Sequence, residues 1–202
     1  MIDRGADRAA IAEIFDATIA LHQRVRDLDH AALLAAVEAV RTAIRDDCKV
    51  LIFGNGGSAA DSQHMAAELV GRFARERRAL PAIALSTDSS IVTSIGNDYS
   101  FERVFVRQIE ALGRTGDVAI GISTSGGSAN VVKALDLARA RGLRTIAMTG
   151  RDGGAVGRAA EIHVNVPDSV TARVQEVQRT LIHVICELVE RELAEVGVKG
   201  KG

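Results

Sequence analysis

Two segments of the sequence decide the fold: VLIFGNGGSAA at residues 50–60 and VAIGISTSGGSAN at residues 118–130. Each begins with a short apolar run and continues into glycines, small polar residues and the start of a helical pattern. A strand that runs into a glycine-rich loop and a helix is typical of parallel sheets, in which ligands bind beyond the carboxyl ends of the strands. The shared Gly-Gly-Ser-Ala predicts two equivalent loops that line one pocket.

The same alternation extends through most of the chain. Short apolar runs, interpreted as five strands, lie at residues 50–53, 82–85, 118–122, 145–148 and 162–166. Helical patterns separate or follow them at residues 59–72, 90–95, 101–112, 129–141, 155–160 and 171–196. Strands alternating with helices predict an α/β fold, a doubly wound five-stranded parallel sheet covered on both faces and closed by a long C-terminal helix.

The N-terminal part of the chain has a different pattern. Residues 7–47 contain no glycine or proline, and their apolar residues recur at helical spacing with a break near residues 27–29. We therefore predict an N-terminal helical pair over residues 1–47 and an α/β domain over residues 48–198, which together form one folding unit.

Composition limits the classes of partner. The 202 residues suit one domain, and 25 basic against 26 acidic residues give a net charge of −1, without the positive field that nucleic acid or an anionic membrane attracts. No apolar run approaches the roughly 20 residues of a membrane span. Cys48 and Cys186 lack a metal-ligand spacing, and no signal segment opens the chain. We expect a cytoplasmic protein that binds neither nucleic acid nor membranes.

The second loop has the composition of a phosphate-binding site. Its hydroxyls, two glycines and the following helix start offer side-chain donors, open backbone amides and a positive helix end; the hydroxyls belong to Ser123, Thr124, Ser125 and Ser128. No lysine follows the glycines, so a phosphomonoester suits the loop better than a nucleoside triphosphate. The alternative is an ordinary turn with a serine helix cap.

The first loop also matches the dinucleotide-binding fingerprint, at Gly54, Gly56 and Ala59. That fingerprint needs an acidic residue about 20 positions further on, at the end of the next strand. Glu76 precedes that strand and Asp88 comes late. The match is therefore interpreted as chance, and a nicotinamide enzyme stays an alternative.

Two helices carry side chains suited to proton transfer or metal binding. His64 and Glu68 are four residues apart and share one face of the helix after the first loop, where they can share a proton or a divalent metal. A solvated helix face is the alternative. Gln175 and His183 lie eight residues apart on one side of the last helix. For His183, which is flanked by aliphatic residues, a hydrogen-bonded core histidine is the alternative.

A further polar stretch, residues 94–99, follows the second strand. Its Asn97 and Asp98 offer amide and carboxylate groups for sugar hydroxyls. By itself the stretch is only a turn signal.

Taken as a set, these motifs resemble the phosphoheptose isomerases, members of the sugar-isomerase (SIS) superfamily. The resemblance covers residues 10 to 195 and is carried by residues 54–64 with Glu68, 96–99, 122–126, and 173–176 with His183. It implies a flavodoxin-like SIS fold. It also implies conversion of sedoheptulose 7-phosphate to D-glycero-D-manno-heptose 7-phosphate, the first step towards nucleotide-activated heptoses of lipopolysaccharide, capsule or glycoprotein.

The resemblance also implies roles for individual residues. Glu68 and His183 would form the acid/base pair. The zinc ligands in metal-bearing members would be His64, Glu68, Gln175 and His183. The substrate would be bound by Asn55, Gly56, Gly57, Glu68, Asn97, Asp98, Ser123, Thr124, Ser125, Ser128 and Gln175. A homotetramer is implied, in which neighbouring subunits complete each site and the N-terminal helices have a packing role.

Two alternatives remain within the superfamily. One is a non-catalytic binding protein, like the paralogue that associates with the bacterial replication initiator. That paralogue lacks the acid/base residues at the positions of Glu68 and His183, whereas this chain keeps both. The other is an isomerase of a different sugar phosphate, which would use the same loops.

Overall fold

The computed structural model of the chain describes residues 4–199, with side chains to Leu193. Its strands are β1 (Val50–Gly54), β2 (Ala82–Ala84), β3 (Val118–Ser123), β4 (Arg144–Gly150) and β5 (Ile162–Val166). Its helices are α1 (Arg4–Arg26), α2 (Ala31–Arg45), α3 (Gly57–Val70), α4 (Ser89–Asp98), a 3-10 turn (Phe101–Arg103), α5 (Val106–Leu112), α6 (Ala129–Ala140), α7 (Gly154–Ala159) and α8 (Thr171–Lys199).

The five strands form one parallel sheet in the order β2-β1-β3-β4-β5. The order reverses between β1 and β3, which are neighbours and end together, with Gly54 opposite Ile122. In a doubly wound sheet this switch point leaves a crevice at the carboxyl edge of the strands. The predicted fold is confirmed, and both glycine loops open into that crevice.

Helices cover both faces of the sheet, and the core has two halves. β1 and β3 are buried at every position, because a central strand of such a sheet has no solvent face. One half of the core packs α1, α2, α3 and α8 on the sheet, and the other packs the segments from α4 to α7 on its opposite side. The site helices α3 and α8 therefore share one side of the sheet.

The N-terminal pair follows the prediction, with a break between Arg26 and Ala31. α2 is amphipathic and contributes buried residues to the same core half as α3 and α8. α1 buries only Leu21 and Val25. The domain boundary at residues 47/48 stays a prediction.

Three local predictions were wrong. Residues 101–112 are not one helix, because a 3-10 turn precedes α5 and the residues between them, Val104 and Phe105, turn into the core. α3 ends at Val70, two residues early, since the following segment is bound by Glu190 instead. α4 continues to Asp98, three residues beyond the predicted end at residue 95, so Asn97 and Asp98 lie in the helix. Across residues 4–199, none of the helices combines the length and apolarity needed to cross a membrane.

Candidate active site

The two glycine loops are joined across the switch point by a pair of amides. The Asn55 Nδ2 donates to Asn130 Oδ1 at 2.9 Å, and the Asn130 Nδ2 donates back to Asn55 Oδ1 at 2.9 Å. Asn55 follows β1, and Asn130 lies in the first turn of α6. The predicted convergence of the loops on one pocket is therefore a direct contact.

The second loop gathers its hydroxyls around Ser123. The Ser123 Oγ lies 2.9 Å from Ser128 Oγ and 3.4 Å from Ser125 Oγ, and the Gly127 amide donates to Ser125 Oγ at 3.3 Å. Ser128 occupies the N-cap position of α6, but its hydroxyl makes no capping bond. Thr124 is half-buried in the same loop. The hydroxyls of Ser123 and Ser128 face each other rather than the backbone, which favours a phosphate cradle over the simple serine cap.

His64, Glu68 and His183 form a compact cluster between α3 and α8. The Nε2 atoms of the two imidazoles are 2.8 Å apart, and the His64 Nε2 lies 3.5 Å from Glu68 Oε1. All three side chains are half-buried. The structure thus brings together two histidines that are 119 residues apart in the sequence. His183 is neither a fully buried core residue nor a fully exposed one.

The electrostatic setting of the cluster favours a neutral imidazole at His64. Burial lowers the pKa of His64, the nearby charge of Arg179 lowers it further, and Glu68 opposes both. A neutral imidazole is the form that accepts a proton or binds a metal. Arg179 is itself held by Asp61, which is 3% exposed and accepts from the Arg179 Nε at 2.9 Å.

The cluster offers a donor set that fits zinc. Two imidazole nitrogens and one carboxylate oxygen, all within 4.8 Å of one another, resemble the three-ligand catalytic sites that keep one position open. Ligand nitrogens at about 2.0–2.1 Å from a tetrahedral ion are roughly 3.3 Å apart. The imidazoles of His64 and His183 would reach that separation by a small side-chain rotation.

Gln175 also contacts α3, but at its first residue, Gly57, rather than at the cluster. Its amide packs on the backbone of Gly57, where an added Cβ would lie 2.1 Å from Gln175 Nε2. Gln175, Asp61 and Arg179 border a cavity of about 470 Å³ at the start of α3. Among residues 4–193, no hydrogen bond joins the Gln175 side chain to the three-residue cluster.

Asn97 and Asp98 lie apart from the other predicted site residues. Both are exposed at the end of α4, and the Asn97 Nδ2 donates to Asp98 Oδ1 at 2.9 Å. In the described part of the chain, no hydrogen bond or ion pair links either residue to the two glycine loops. Their predicted contact with substrate stays a prediction.

Glu190 was not predicted from the sequence, yet it binds the backbone of the segment that packs against His183. Its carboxylate is 1% exposed and accepts from the backbone amides of Phe73, Ala74 and Arg75 at 3.0, 2.8 and 2.8 Å. Burial alone would raise the pKa of Glu190, but these amides and the charge of Arg77 lower it on balance. The segment held in this way places the Phe73 ring 5.5 Å from the His183 imidazole. No spacing in the sequence signals this contact.

Cys186, one turn after His183, is excluded as a nucleophile. Burial raises the pKa of its thiol to about 12, and the negative charge of Glu68 adds to the effect. The thiolate is the reactive form of cysteine, and at neutral pH it is absent here. The chemistry of the cluster therefore rests on the imidazoles and the carboxylate.

Comparisons with known proteins agree with this geometry. The SIS domain family matches residues 13–150. The phosphoheptose isomerase of Citrifermentans bemidjiense is 58% identical over 170 residues, which cover 84% of this chain and 87% of that protein. The chain belongs to the phosphoheptose isomerase family. The enzyme of that family from Aquifex aeolicus is 60% identical over 77% of this chain and 82% of its own.

Solved structures of the family agree as well. The phosphoheptose isomerase GmhA from Neisseria gonorrhoeae superposes with a TM-score of 0.86 at 42% identity, and the alignment covers 91% of this chain and 98% of that one. The isomerase family and the SIS fold expected from the motifs are both confirmed, and the nicotinamide alternative is dropped.

Proposed function

We propose that this protein is an aldose–ketose isomerase that converts sedoheptulose 7-phosphate into D-glycero-D-manno-heptose 7-phosphate. The observation that carries the proposal is the site at the switch point: a hydroxyl cradle and a carboxylate–imidazole cluster in a chain 58% identical to a phosphoheptose isomerase. A seat for phosphate and a proton shuttle are what isomerisation of a sugar phosphate requires.

The phosphate group is bound by the second loop. The hydroxyls of Ser123, Ser125 and Ser128 already point at one another and turn to donate to phosphate oxygens, while Thr124 and the start of α6 add donors and a positive helix end. Hydrogen bonds to a charged group are worth about 1.5–3 kcal/mol each. The loop therefore anchors one end of the seven-carbon substrate and fixes where its other end lies.

Glu68 moves the proton between the two reacting carbons. As a carboxylate it takes the proton from C1 of the ketose, the C2 carbonyl oxygen gains a proton, and a C1–C2 enediol forms. The oxygen on C1 then loses its proton, and Glu68 returns a proton to C2, which leaves the aldehyde at C1 and a hydroxyl at C2. One carboxylate serves both carbons because they are adjacent.

His183 handles the protons on the two oxygens. Its contact with His64 at 2.8 Å requires one imidazole to donate and the other to accept, so a proton is held between them. His64, whose pKa is lowered by burial, accepts that proton as a neutral ring. In the metal-free cluster the pair can thus supply a proton to the C2 oxygen and remove one from the C1 oxygen.

We also propose that His64, Glu68 and His183 hold a zinc ion, with Gln175 as the fourth protein ligand. A bound zinc would polarise the carbonyl and enediolate oxygens of the substrate. The donor set of the cluster supports the proposal, and Gln175 would have to turn from Gly57 to join it.

We further propose that the chain forms a homotetramer whose neighbours complete each site. α1 presents large apolar side chains to solvent, with Ile11 55%, Ile14 53%, Phe15 64% and Ile19 52% exposed. An apolar groove of about 600 Å³ continues from them between α1, α2 and α8. Apolar surface of this extent is typical of an interaction face.

The proposal keeps the cytoplasm as the location, where the free thiols of Cys48 and Cys186 stay reduced. The product would serve synthesis of nucleotide-activated heptoses.

The test is turnover of sedoheptulose 7-phosphate by the purified protein, after chelation and with zinc restored. Aldose formation that falls on chelation and returns with zinc supports the isomerase and the metal. Turnover that ignores zinc keeps the isomerase and removes the metal. Turnover of another sugar phosphate alone corrects the substrate, and no turnover with any of them favours the non-catalytic binding protein.

A further inference from the structure

We propose that Asn130 is a positioning residue, which holds the Asn55 loop at a fixed distance from the phosphate-binding loop. The inference rests on the proposed function, because it concerns how the two ends of one substrate are placed relative to each other. Asn130 itself is 4% exposed and is not among the residues expected to contact substrate.

The contact between Asn130 and Asn55 is reciprocal. Each amide donates one N–H and accepts one hydrogen bond, both at 2.9 Å. An asparagine side chain has two N–H donors and a carbonyl oxygen with two lone pairs, so the pair leaves Asn55 one donor and one acceptor for a ligand. The contact therefore fixes which way the free N–H and the free lone pair of Asn55 point.

Asn130 reaches Asn55 from a rigid base. It is the second residue of α6, two positions after Ser128 of the phosphate loop, and it is buried. Asn55, in contrast, is half-buried and is followed by Gly56, whose φ is +56°. Glycine gives the backbone of this loop conformational freedom, and the contact with Asn130 restricts it.

Position matters here because the two loops serve opposite ends of the substrate. The phosphate is seated at Ser123–Ser128, and the reacting carbons lie towards Gly57, Gln175 and the His64 cluster. A displacement of about 1 Å between such parts costs roughly 100-fold in rate. Asn130 thus affects the reaction through Asn55, without contacting the reacting atoms.

The test replaces one amide by a carboxylate, in Asn130→Asp. The new carboxylate accepts from the Asn55 Nδ2 but cannot donate to its oxygen, so the reciprocal contact is lost at neutral pH. We expect kcat/KM for sedoheptulose 7-phosphate to fall about 10- to 100-fold. Binding of inorganic phosphate, measured by calorimetry, is expected to weaken clearly less than kcat/KM does, because the new charge repels phosphate somewhat but the phosphate loop keeps its own contacts.

The pH profile separates positioning from a loss of stability. A protonated carboxyl has one O–H donor and one carbonyl acceptor, as the amide does. The ratio of variant to wild-type kcat/KM should therefore rise as the pH is lowered from about 8 towards the carboxyl pKa, which is about 3.9 for an exposed aspartate and higher for a buried one. The matched control is Gln108→Glu, a buried amide whose Nε2 donates to Leu85 and Val104 carbonyls, which should lower Tm and leave kcat/KM unchanged.

An unchanged kcat/KM in Asn130→Asp would overturn the inference, as would a loss of inorganic phosphate affinity equal to the loss in kcat/KM. If the wild-type protein shows no turnover, the proposed function fails first. Calorimetric binding of sedoheptulose 7-phosphate then decides the inference alone, since Asn130→Asp must weaken it at least tenfold and clearly more than it weakens binding of inorganic phosphate.

Discussion

In the loop after β1 the helix begins at Gly57, whereas in the loop after β3 it begins at Ala129, two residues later in the shared Gly-Gly-Ser-Ala. The first glycine of each loop has a positive φ, +56° at Gly56 and +68° at Gly126. The serines then diverge: Ser58 is inside its helix and 4% exposed, whereas Ser128 faces the hydroxyls of its loop.

The same tetrapeptide therefore has a different role in each loop. The early helix start brings the backbone of Gly57 against Gln175 and leads into the turns that carry His64 and Glu68. The late start leaves a longer loop with three serine hydroxyls around one point. The comparison assigns proton transfer to the first loop with its helix and phosphate binding to the second loop. Each assignment can be tested by its own variants.

The largest effect is expected from Glu68→Gln. An amide cannot take a proton from carbon, so kcat should fall about a thousandfold or more while the fold is kept. Steady-state kinetics and Tm are the measurements. Glu102→Gln, an exposed carboxylate paired with Lys133, is the matched control and should leave kcat unchanged. A rate near that of the wild type would remove Glu68 from the chemistry.

The second expected effect is on binding rather than rate. Ser123 is the residue whose hydroxyl contacts both other serines of the cradle, so Ser123→Ala removes a phosphate donor and loosens its neighbours. KM should rise about tenfold or more, because a hydrogen bond to a charged group is worth about 1.5–3 kcal/mol, and kcat should change little. A lower kcat with an unchanged KM would mean that the loops share the chemistry.

A smaller effect on kcat/KM is expected from substitutions at equivalent glycines of the two loops. In Gly57→Ala the new methyl group would lie 2.1 Å from the Gln175 amide, whereas in Gly127→Ala the nearest atom is 3.9 Å away. In the metal-free protein, Gly57→Ala should therefore displace Gln175, a proposed substrate ligand, and lower kcat/KM about tenfold, with Gly127→Ala affected less. Equal losses in kinetic assays of both variants would contradict the packing of Gln175 on Gly57.

The smallest effect concerns stability and pH. The pKa of Glu190 is lowered in the folded protein, so its ionised form stabilises the fold above the unfolded pKa of about 4.3, and that stabilisation is lost as the pH falls through the folded pKa. Glu190→Gln should have a lower Tm than the wild type at pH 7.

Tm measured from about pH 7 to about pH 3 should accordingly converge for the wild type and Glu190→Gln, as Glu190 of the wild type becomes protonated. A difference in Tm that stays constant down to the lowest pH would mean that the charge of Glu190 contributes nothing.

Local features of the fold and site could be predicted from the sequence, and long-range ones could not. The apolar runs predicted all five strands, and four-residue spacing predicted that His64 and Glu68 are neighbours on α3. The His64–His183 contact depends on how α8 crosses α3, which no spacing encodes. The reciprocal amides of Asn55 and Asn130 depend likewise on β1 and β3 being neighbours.

The helix starts illustrate the same limit at short range. One tetrapeptide predicted two equivalent loops, yet α3 and α6 begin two residues apart within it. The residues before it differ, Asn55 in the first loop and the Ser123–Ser125 run in the second. The surroundings differ too, since Gly57 lies against the Gln175 amide whereas an added Cβ at Gly127 would meet only Ser125 Oγ at 3.9 Å. The local sequence pattern therefore identified the residues of the site but not the different roles of the two loops.

The most direct measurement is NMR of sedoheptulose 7-phosphate incubated with the protein in deuterated water. The account predicts that the aldose product appears with solvent deuterium at C2, because Glu68, whose side chain is 22% exposed, exchanges its proton with solvent before returning it to carbon. Aldose formed with no deuterium on carbon, as a direct hydride shift would give, would contradict proton transfer through a solvent-exchanging Glu68.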